Sequence, residues 1–236
     1  MPAAIASSDR NLSAQTSSDV SAAPRQIVAI AVGSCEQHGK HLPLDTDTRI
    51  AEALCATLAS TRADVLVGPT ITISASGEHQ GFDGTLSIGT AVLSTVLIEI
   101  VRSAQWARGV IFVNGHGGNA EAVRAALKLL GGEGRLASAW WPRIENGDAH
   151  AGFTETSLML ALDPTAVRLD LAEVGETRPL AEIGTELRRG GVAAVSGNGV
   201  LGDPRNATAQ HGLELFANLS EQLCDHFDSE TSAWIQ

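Results

Sequence analysis

The 236-residue chain is 44% hydrophobic and carries a formal net charge of −11 at pH 7. This composition excludes an intrinsically disordered chain and is sufficient for one sizeable core. The acidic balance argues against binding to a nucleic-acid backbone, which requires a basic surface. No run of 18 apolar residues is present, so we expect no membrane span and no membrane partner.

The first 24 residues are rich in Ala, Ser and Thr and lack the apolar segment of a secretory signal. Such a segment has little apolar surface to bury. We therefore predict a disordered N-terminal arm over residues 1–24 and a single domain over residues 25–236.

The three cysteines, Cys35, Cys55 and Cys224, are odd in number and have no CxxC spacing. This usage favours a reduced, cytoplasmic protein over a disulfide scaffold. We interpret all three as structural thiols, because no G-x-S-x-G elbow or dedicated base accompanies Cys35 or its neighbour Ser34.

Apolar, β-branched segments alternate with segments of helical periodicity after residue 25. The predicted elements are a strand over 26–33, a helix over 47–61, a strand over 64–74, a helix over 90–109, a strand, glycine-rich turn and helix over 110–130, a strand over 135–141, and helices over 154–162 and 211–227. Gly109 is expected to follow its helix as the C′ residue. The alternation predicts an α/β fold, a three-layer α/β/α sandwich with a central, mainly parallel sheet.

The segment "GSCEQHGKHLPLDTDT", residues 33–48, follows the first predicted strand and is dense in metal-binding side chains. Glu36 and His38 are two residues apart, so an extended backbone would point both the same way. With Asp47 they offer one imidazole and two carboxylates, a set suited to Zn, Mn or Fe(II). The alternative is a helix N-terminus capped by Thr46 or Asp47, with Glu36 and His38 as solvated loop residues.

A second polar segment, "FVNGHGGN", places His116 between glycines at a strand end. Gly115, Gly117 and Ala120 also satisfy the G-x-G-x-x-A pattern of a dinucleotide-binding loop, but no clear acidic partner follows at the expected distance. A plain tight turn is another alternative. A metal ligand at His116 accounts for this segment and the first one together, because both follow strands whose carboxyl ends meet at one edge of the sheet.

Two further segments pair histidine with carboxylate. "GDAHAGFTETSLMLAL" contains His150 and Glu155, and "SGEHQGFDGT" contains Glu78 and His79. Taken alone, Glu155 would stabilise the N-terminus of a helix electrostatically, and His150 would be a structural residue. Their significance comes from their number, because they bring the His-plus-carboxylate clusters to four.

These four segments, read as "VGSCEQHGKHLPLDTDT", "EHQGFDGT", "VNGHGGN" and "HAGFTETSLMLAL", resemble the signature blocks of the creatininase family in the same order. The resemblance implies an α/β/α fold and a divalent-metal centre, with one or two ions per subunit, that hydrolyses amide bonds. It also implies a homo-oligomer, and by analogy with creatininase we expect a hexamer. Fe(II) or Zn(II) are the expected metals, with Mn(II) as a third candidate.

The resemblance also implies site residues, residue by residue. The positions that match the family's metal ligands are Glu36, His38, Asp47 and His116. Asp47 matches the carboxylate shared between two ions. Creatininase itself has a ligating Glu where this chain has Gly118, which argues against creatinine as the substrate. Glu155 is a candidate to supply the missing carboxylate.

The predicted site also includes a proton-carrying group and residues that contact the substrate. His150, with Glu155, is the predicted catalytic group, because an imidazole is suited to carry a proton to a leaving amine. Glu78 and His79 are predicted to line the substrate side. Trp141 is predicted to form part of a substrate groove, with a core or interface aromatic as the alternative.

Several segments, including "SASGEHQGFDGTLSIGT" and "GGVAAVSGNGVLGDP", most resemble a branch of the family that matures a ribosomally made peptide. For this branch the resemblance implies removal of a crosslinked, decarboxylated C-terminal Val-Tyr unit from a modified precursor peptide. One alternative is a family hydrolase acting on a small cyclic amide or a formamide. Another is a non-catalytic metal-binding protein, although structural zinc sites usually include several cysteines and none of these clusters contains two.

Overall fold

The computed structural model describes residues 10–234. Its strands are β1 (Ile27–Val32), β2 (Val65–Val67), β3 (Gly109–Asn114) and β4 (Ala137–Trp140). Its α-helices are α1 (Ser17–Ala22), α2 (Thr46–Thr61), α3 (Gly89–Ser103), α4 (Ala120–Gly132), α5 (Phe153–Leu162), α6 (Leu180–Gly190) and α7 (Ala209–Thr231). None of the helices in this described range is long and apolar enough to cross a membrane.

The four strands form one sheet in the order β2-β1-β3-β4, and all neighbouring pairs are parallel. Successive side chains of a strand point to opposite faces. In β1 the odd-numbered residues join a core with α2, α5 and α7, whereas the even-numbered residues join a core with α3 and α4. Helices therefore cover both faces of the sheet, and the predicted three-layer α/β/α fold is confirmed.

Three element predictions differ from the structure. Gly109 is the first residue of β3, because α3 ends at Ser103 and a Cβ at position 109 would lie 2.8 Å from the carbonyl oxygen of Leu136. The strand predicted over 64–74 is limited to β2, since Pro69 lacks the N–H that a ladder requires. Helix α6 was not predicted, and Ile183 is its one fully buried residue.

The N-terminal segment also differs from its prediction. Residues 1–9 of the predicted disordered arm lie outside the described residues, but residues 10–24 contain a 3₁₀ turn and α1. Thr16 and Asp19 form a reciprocal capping box at the start of α1. Asn11 also forms a bridge to Val67 of β2. Local capping and pairing with the sheet edge thus order this part of the arm without a large apolar face.

The carboxyl ends of β1 and β3 lie side by side, and α2 packs closely against the turn that follows β1. A Cβ at Gly33 would lie less than 3.0 Å from the backbone of Thr48 in the first turn of α2. The carbonyl of Gly33 also accepts hydrogen bonds from Ser74 Oγ at 2.7 Å and Asn119 Nδ2 at 3.1 Å. Glycine at position 33 therefore brings three loops together at this edge.

Gly33→Ala is expected to destabilise the fold by about 1–3 kcal/mol, because the added methyl group must displace the backbone of α2. For a chain of this size each kcal/mol lowers Tm by roughly 2–4 °C. Urea and thermal unfolding measure the effect. Gly131→Ala is the matched control: it is helical with no atom within 4 Å of its Cβ position, and alanine there should be neutral or stabilising. Equal stability of the two variants would contradict the packing argument.

Candidate metal centre

Five structural segments bring the candidate ligands to the carboxyl edge of the sheet. Glu36 and His38 lie in the loop after β1, and Asp47 lies in the first turn of α2. His116 lies between β3 and α4. The remaining residues are His150 before α5, Glu155 in its first turn, and Glu78 and His79 in a 3₁₀ turn over Gly77–His79. The structure therefore places the four His-plus-carboxylate segments in one cluster.

Glu36 is at the centre of this cluster. Its side chain is fully buried, and neither carboxylate oxygen has a hydrogen-bond partner among the described residues. Oε1 lies 3.1 Å from His116 Nδ1, 3.2 Å from His79 Nε2 and 3.8 Å from His150 Nδ1. A buried carboxylate without hydrogen bonds is costly unless a cation compensates it. The donor set around Glu36 therefore fits a divalent metal ion.

Asp47 lies between two groups of candidate ligands. Its Oδ1 is 3.2 Å from His38 Nε2, its Oδ2 is 3.2 Å from His116 Nδ1, and Ser34 Oγ donates to Oδ2 at 2.8 Å. Three sets have ligand atoms within 4.8 Å of one another: Glu36, Asp47 and His116; His38, Asp47 and Glu155; and Glu36, His38 and His150. Asp47 is the side chain that the first two sets share.

Opposite charges offset the cost of burial at the shared carboxylate. Burial alone would lower the pKa of His38, but the carboxylates of Asp47 and Glu155 raise it to about 9. Burial would likewise lower the pKa of His116, whereas the carboxylates of Glu36 and Asp47 raise it well above its ordinary value. In turn, His38 and His116 hold the pKa of Asp47 well below its usual range despite burial. The carboxylates of this cluster thus favour positive charge beside them, which is the electrostatic environment that a divalent metal ion requires.

Glu155 lies at the rim of the cluster. Burial and the negative charge of Asp47 raise the pKa of Glu155 to about 7, although the positive charge of His38 acts to lower it. Its Oε2 accepts a hydrogen bond from the backbone N–H of Ala151 at 2.5 Å and lies 3.8 Å from His38 Nε2. The geometry suits a ligand of the second set. The carboxyl group is also held by the turn that carries His150.

His150 is buried and differs electrostatically from the other histidines. Burial, together with the positive charges of His38 and His79, holds its pKa well below the ordinary value. Its Nε2 lies 2.7 Å from the carbonyl oxygen of Gln37, so Nε2 carries the hydrogen and donates to it. Nδ1, the unprotonated nitrogen, faces Glu36. His150 is therefore a neutral imidazole whose free lone pair points into the cluster.

Gln37 and Asn119 organise the cluster, and neither was singled out from the sequence. The side-chain amide of Gln37 donates to His79 Nδ1 and to the carbonyl oxygen of Gly199, each at 2.9 Å, while its backbone carbonyl accepts from His150 Nε2. Asn119 donates to the carbonyl of Gly33 and accepts from the N–H of Ala75, each at about 3 Å. Their position in the sequence could have identified them, because Gln37 stands between two predicted ligands and Asn119 ends "NGHGGN".

The structural alternatives proposed for two of the segments differ from what is observed. Asp45, not Asp47, is the N-cap residue of α2, and Thr46 is its first helical residue. Glu36 and His38 are buried rather than solvated. Gly115, the residue after β3, lets the first turn of α2 pack closely against it, because a Cβ at this position would lie 2.6 Å from the carbonyl oxygen of Asp47.

Trp141 does not join the cluster. It lines a separate cavity of about 840 Å³ together with Arg124, Arg143 and His226. A smaller cavity of about 280 Å³ lies beside the cluster, reaching Glu155 and bounded mainly by apolar side chains. Those apolar residues are Ile50, Leu54, Ile144, Leu158, Leu180 and Leu219. This second cavity, not the one at Trp141, adjoins the candidate ligands.

Comparisons with known proteins agree with this fold. A family model described as "Creatininase: Creatinine amidohydrolase" matches residues 13–227. A protein of Mycolicibacterium smegmatis named mycofactocin precursor peptide peptidase is 51% identical over 206 residues, which are 84% of this chain and 83% of that protein.

Two solved structures have the same fold. A mutant creatininase of Zn-Zn type has a TM-score of 0.78 at 24% identity, covering 93% of this chain and 97% of its own. A structure described as creatininase Mn has a TM-score of 0.77 at 24% identity, covering 94% and 98%. The family match spans most of the sequence, and the chain belongs to the creatininase family.

Proposed function

We propose that this chain is a metal-dependent peptidase that removes the modified C-terminal Val-Tyr unit from a mycofactocin precursor peptide. The observation that carries the hydrolytic part is Asp47, which lies between two sets of candidate ligand atoms beside the buried carboxylate of Glu36. The choice of substrate is supported by the name of the half-identical relative.

The residues that would hold the metal form two of the sets described above. We assign Glu36, Asp47 and His116 to one ion and His38, Asp47 and Glu155 to a second. Fe(II) and Zn(II) are our first candidates and Mn(II) is the third, since the donors are imidazole and carboxylate without thiolate. When bound, such an ion supplies Lewis-acid activation of a carbonyl group and lowers the pKa of a water molecule.

The protein's own contribution to the reaction is proton transfer and orientation. His150 begins neutral, so its Nδ1 can accept a proton from the attacking water and then deliver it to the leaving amine. Gln37 keeps the ring in this tautomer through the hydrogen bond from His150 Nε2. His79 lies against Glu36 and Gln37, and its assignment to the substrate side stays a prediction.

The apolar cavity beside Glu155 supports a substrate with an aliphatic side chain near the scissile bond. Its volume of about 280 Å³ exceeds the needs of one branched side chain. A valine-derived unit next to the cleaved bond would bury its methyl groups there, at roughly 0.8 kcal/mol per buried carbon. Proximity to Glu155 and Gly117 would place that bond at the ligand sets.

Ile144→Trp is expected to raise KM for the precursor peptide by roughly 10-fold or more, because the larger side chain fills the space proposed for the substrate. Steady-state kinetics with the peptide measures the change, and metal content should stay at the wild-type level. Leu129→Trp, on the exposed face of α4 and outside the residues lining this cavity, is the control. Unchanged KM in Ile144→Trp would place the substrate elsewhere.

The direct test of the proposed function starts from anaerobically purified protein with measured metal content. The protein is incubated with the modified precursor peptide, with and without Fe(II) or Zn(II), and the Val-Tyr fragment is followed by mass spectrometry. Metal-dependent release supports the peptidase. Hydrolysis of a small cyclic amide or a formamide without peptide cleavage would favour the other family activity. Metal binding without hydrolysis of any of these would favour a binding protein.

The assembly state is a separate proposal. We propose a homo-oligomer, with the hexamer as the expected state. Mass photometry of the metal-loaded protein distinguishes a hexamer from smaller species, and a monomer at working concentration would contradict the proposal.

A further inference from the structure

The two ring nitrogens of His116 face different surroundings. Nδ1 points to Glu36 and Asp47, at 3.1 and 3.2 Å from their carboxylate oxygens. Nε2, on the opposite edge of the ring, lies 3.3 Å from Glu78 Oε1 and 3.3 Å from the carbonyl oxygen of Ala75. The nitrogen available to a metal ion is therefore Nδ1, and Nε2 faces two hydrogen-bond acceptors.

Gly118 leaves the space that the Glu78 carboxylate occupies. A Cβ at position 118 would lie less than 3.0 Å from Glu78 Oε1, from His116 Nε2 and from the carbonyl oxygen of Ala75. Any larger residue would thus push on both the carboxylate and the ring. Gly118 therefore leaves room for the carboxylate of Glu78, which comes from a loop 40 residues earlier in the chain.

The loop that carries Glu78 is held from two sides. The side chain of Asn119 accepts a hydrogen bond at 3.0 Å from the backbone N–H of Ala75, which joins this loop to the segment after His116. From the other side, a Cβ at Gly191 would lie 2.6 Å from the carbonyl oxygen of Glu78, and Gly191 has a positive φ of 69°. The Glu78 side chain is 31% exposed, so its position depends on the loop.

We infer that Glu78 is a positioning residue for the metal ligand His116: its carboxylate accepts the Nε2–H hydrogen bond and so leaves Nδ1 free for the metal. Outer carboxylates commonly orient a ligating histidine and fix its tautomer in this way. A charge-assisted acceptor is stronger than the competing Ala75 carbonyl. This assignment differs from the earlier prediction that Glu78 lines the substrate side. It concerns metal binding alone and does not depend on the proposed peptide substrate.

Zn(II) affinity of the full-length chain, measured by chelator competition, tests this inference. Glu78→Ala is expected to weaken binding by about 10- to 100-fold, the usual cost of losing such a partner. Glu78→Gln should keep affinity within a few-fold of wild type, because its amide oxygen still accepts the Nε2–H bond. Glu121→Ala, an exposed carboxylate five residues after His116, is the matched control and should have wild-type affinity. The metal-free Tm of each variant shows whether it is folded.

A spectroscopic measurement separates positioning from a general effect on stability. In the Zn(II)-loaded, ¹⁵N-histidine-labelled protein, the Nε2–H proton of His116 should be protected from exchange in wild type and Glu78→Gln and lost in Glu78→Ala. Wild-type affinity in Glu78→Ala would overturn the inference in favour of the Ala75 carbonyl. Equal loss in Glu78→Gln and Glu78→Ala would overturn it in favour of the charge of Glu78 alone.

Discussion

Asp47→Asn is expected to weaken divalent-metal binding by more than the roughly 100-fold that loss of an outer partner costs, and to abolish hydrolysis with it. Asp47 is common to the two ligand sets that we assign to the ions. Its carboxylate also balances His38 and His116, each about 3.2 Å away. An amide in its place offers one weaker ligand oxygen and no charge, so both sets lose their shared member.

Thermal unfolding with and without metal measures this loss independently of activity. An ion present at 100 times its Kd stabilises a protein by about 2.7 kcal/mol, so wild-type Tm should rise by several degrees on metal addition. Asp47→Asn should show little or no rise. Asp45→Asn is the matched control, because Asp45 is two residues away, half exposed and paired with Arg49. A full metal-induced rise in Asp47→Asn would show that Asp47 is not a shared ligand.

His150→Gln is expected to lower kcat by about 10²- to 10⁴-fold while the metal stays bound, as for loss of a general acid-base group. Glutamine can retain a hydrogen bond to the carbonyl of Gln37, but it cannot accept and deliver a proton. The wild-type ring is suited to this role because burial and the neighbouring positive charges hold its pKa low and leave it neutral. The effect should therefore fall on turnover rather than on metal content.

Kinetics and metal analysis of the same preparation separate these roles. His226→Gln is the control, because His226 is a partly buried histidine that contacts Ser138 Oγ and lines the separate cavity with Trp141. It should leave kcat unchanged. Wild-type turnover in His150→Gln would remove His150 from the mechanism. Loss of metal from His150→Gln would instead make it a ligand.

The layered α/β fold was predictable because it depends on local periodicity. The apolar run of β1 and the strand-turn-helix pattern through His116 each indicate their element within a few residues of the observed bounds. Errors occurred where a tertiary contact determines the local structure. Gly109 follows a helical pattern, yet it begins β3, where the absence of a side chain lets the backbone of Leu136 lie close to it. Similarly, residues 10–24 gain order by pairing Asn11 with the edge of the sheet.

The sequence by itself determined the layered fold, the donor types and the edge of the sheet where they meet, because strand ends and His-plus-carboxylate segments are local features. Only the tertiary structure decided which atoms face each other. It placed the buried Glu36 among three histidines and Glu78 behind His116. It also excluded Trp141 from the cluster. These relations join residues as far apart in the chain as Glu36 and His150, and packing of loops, not periodicity, determines them.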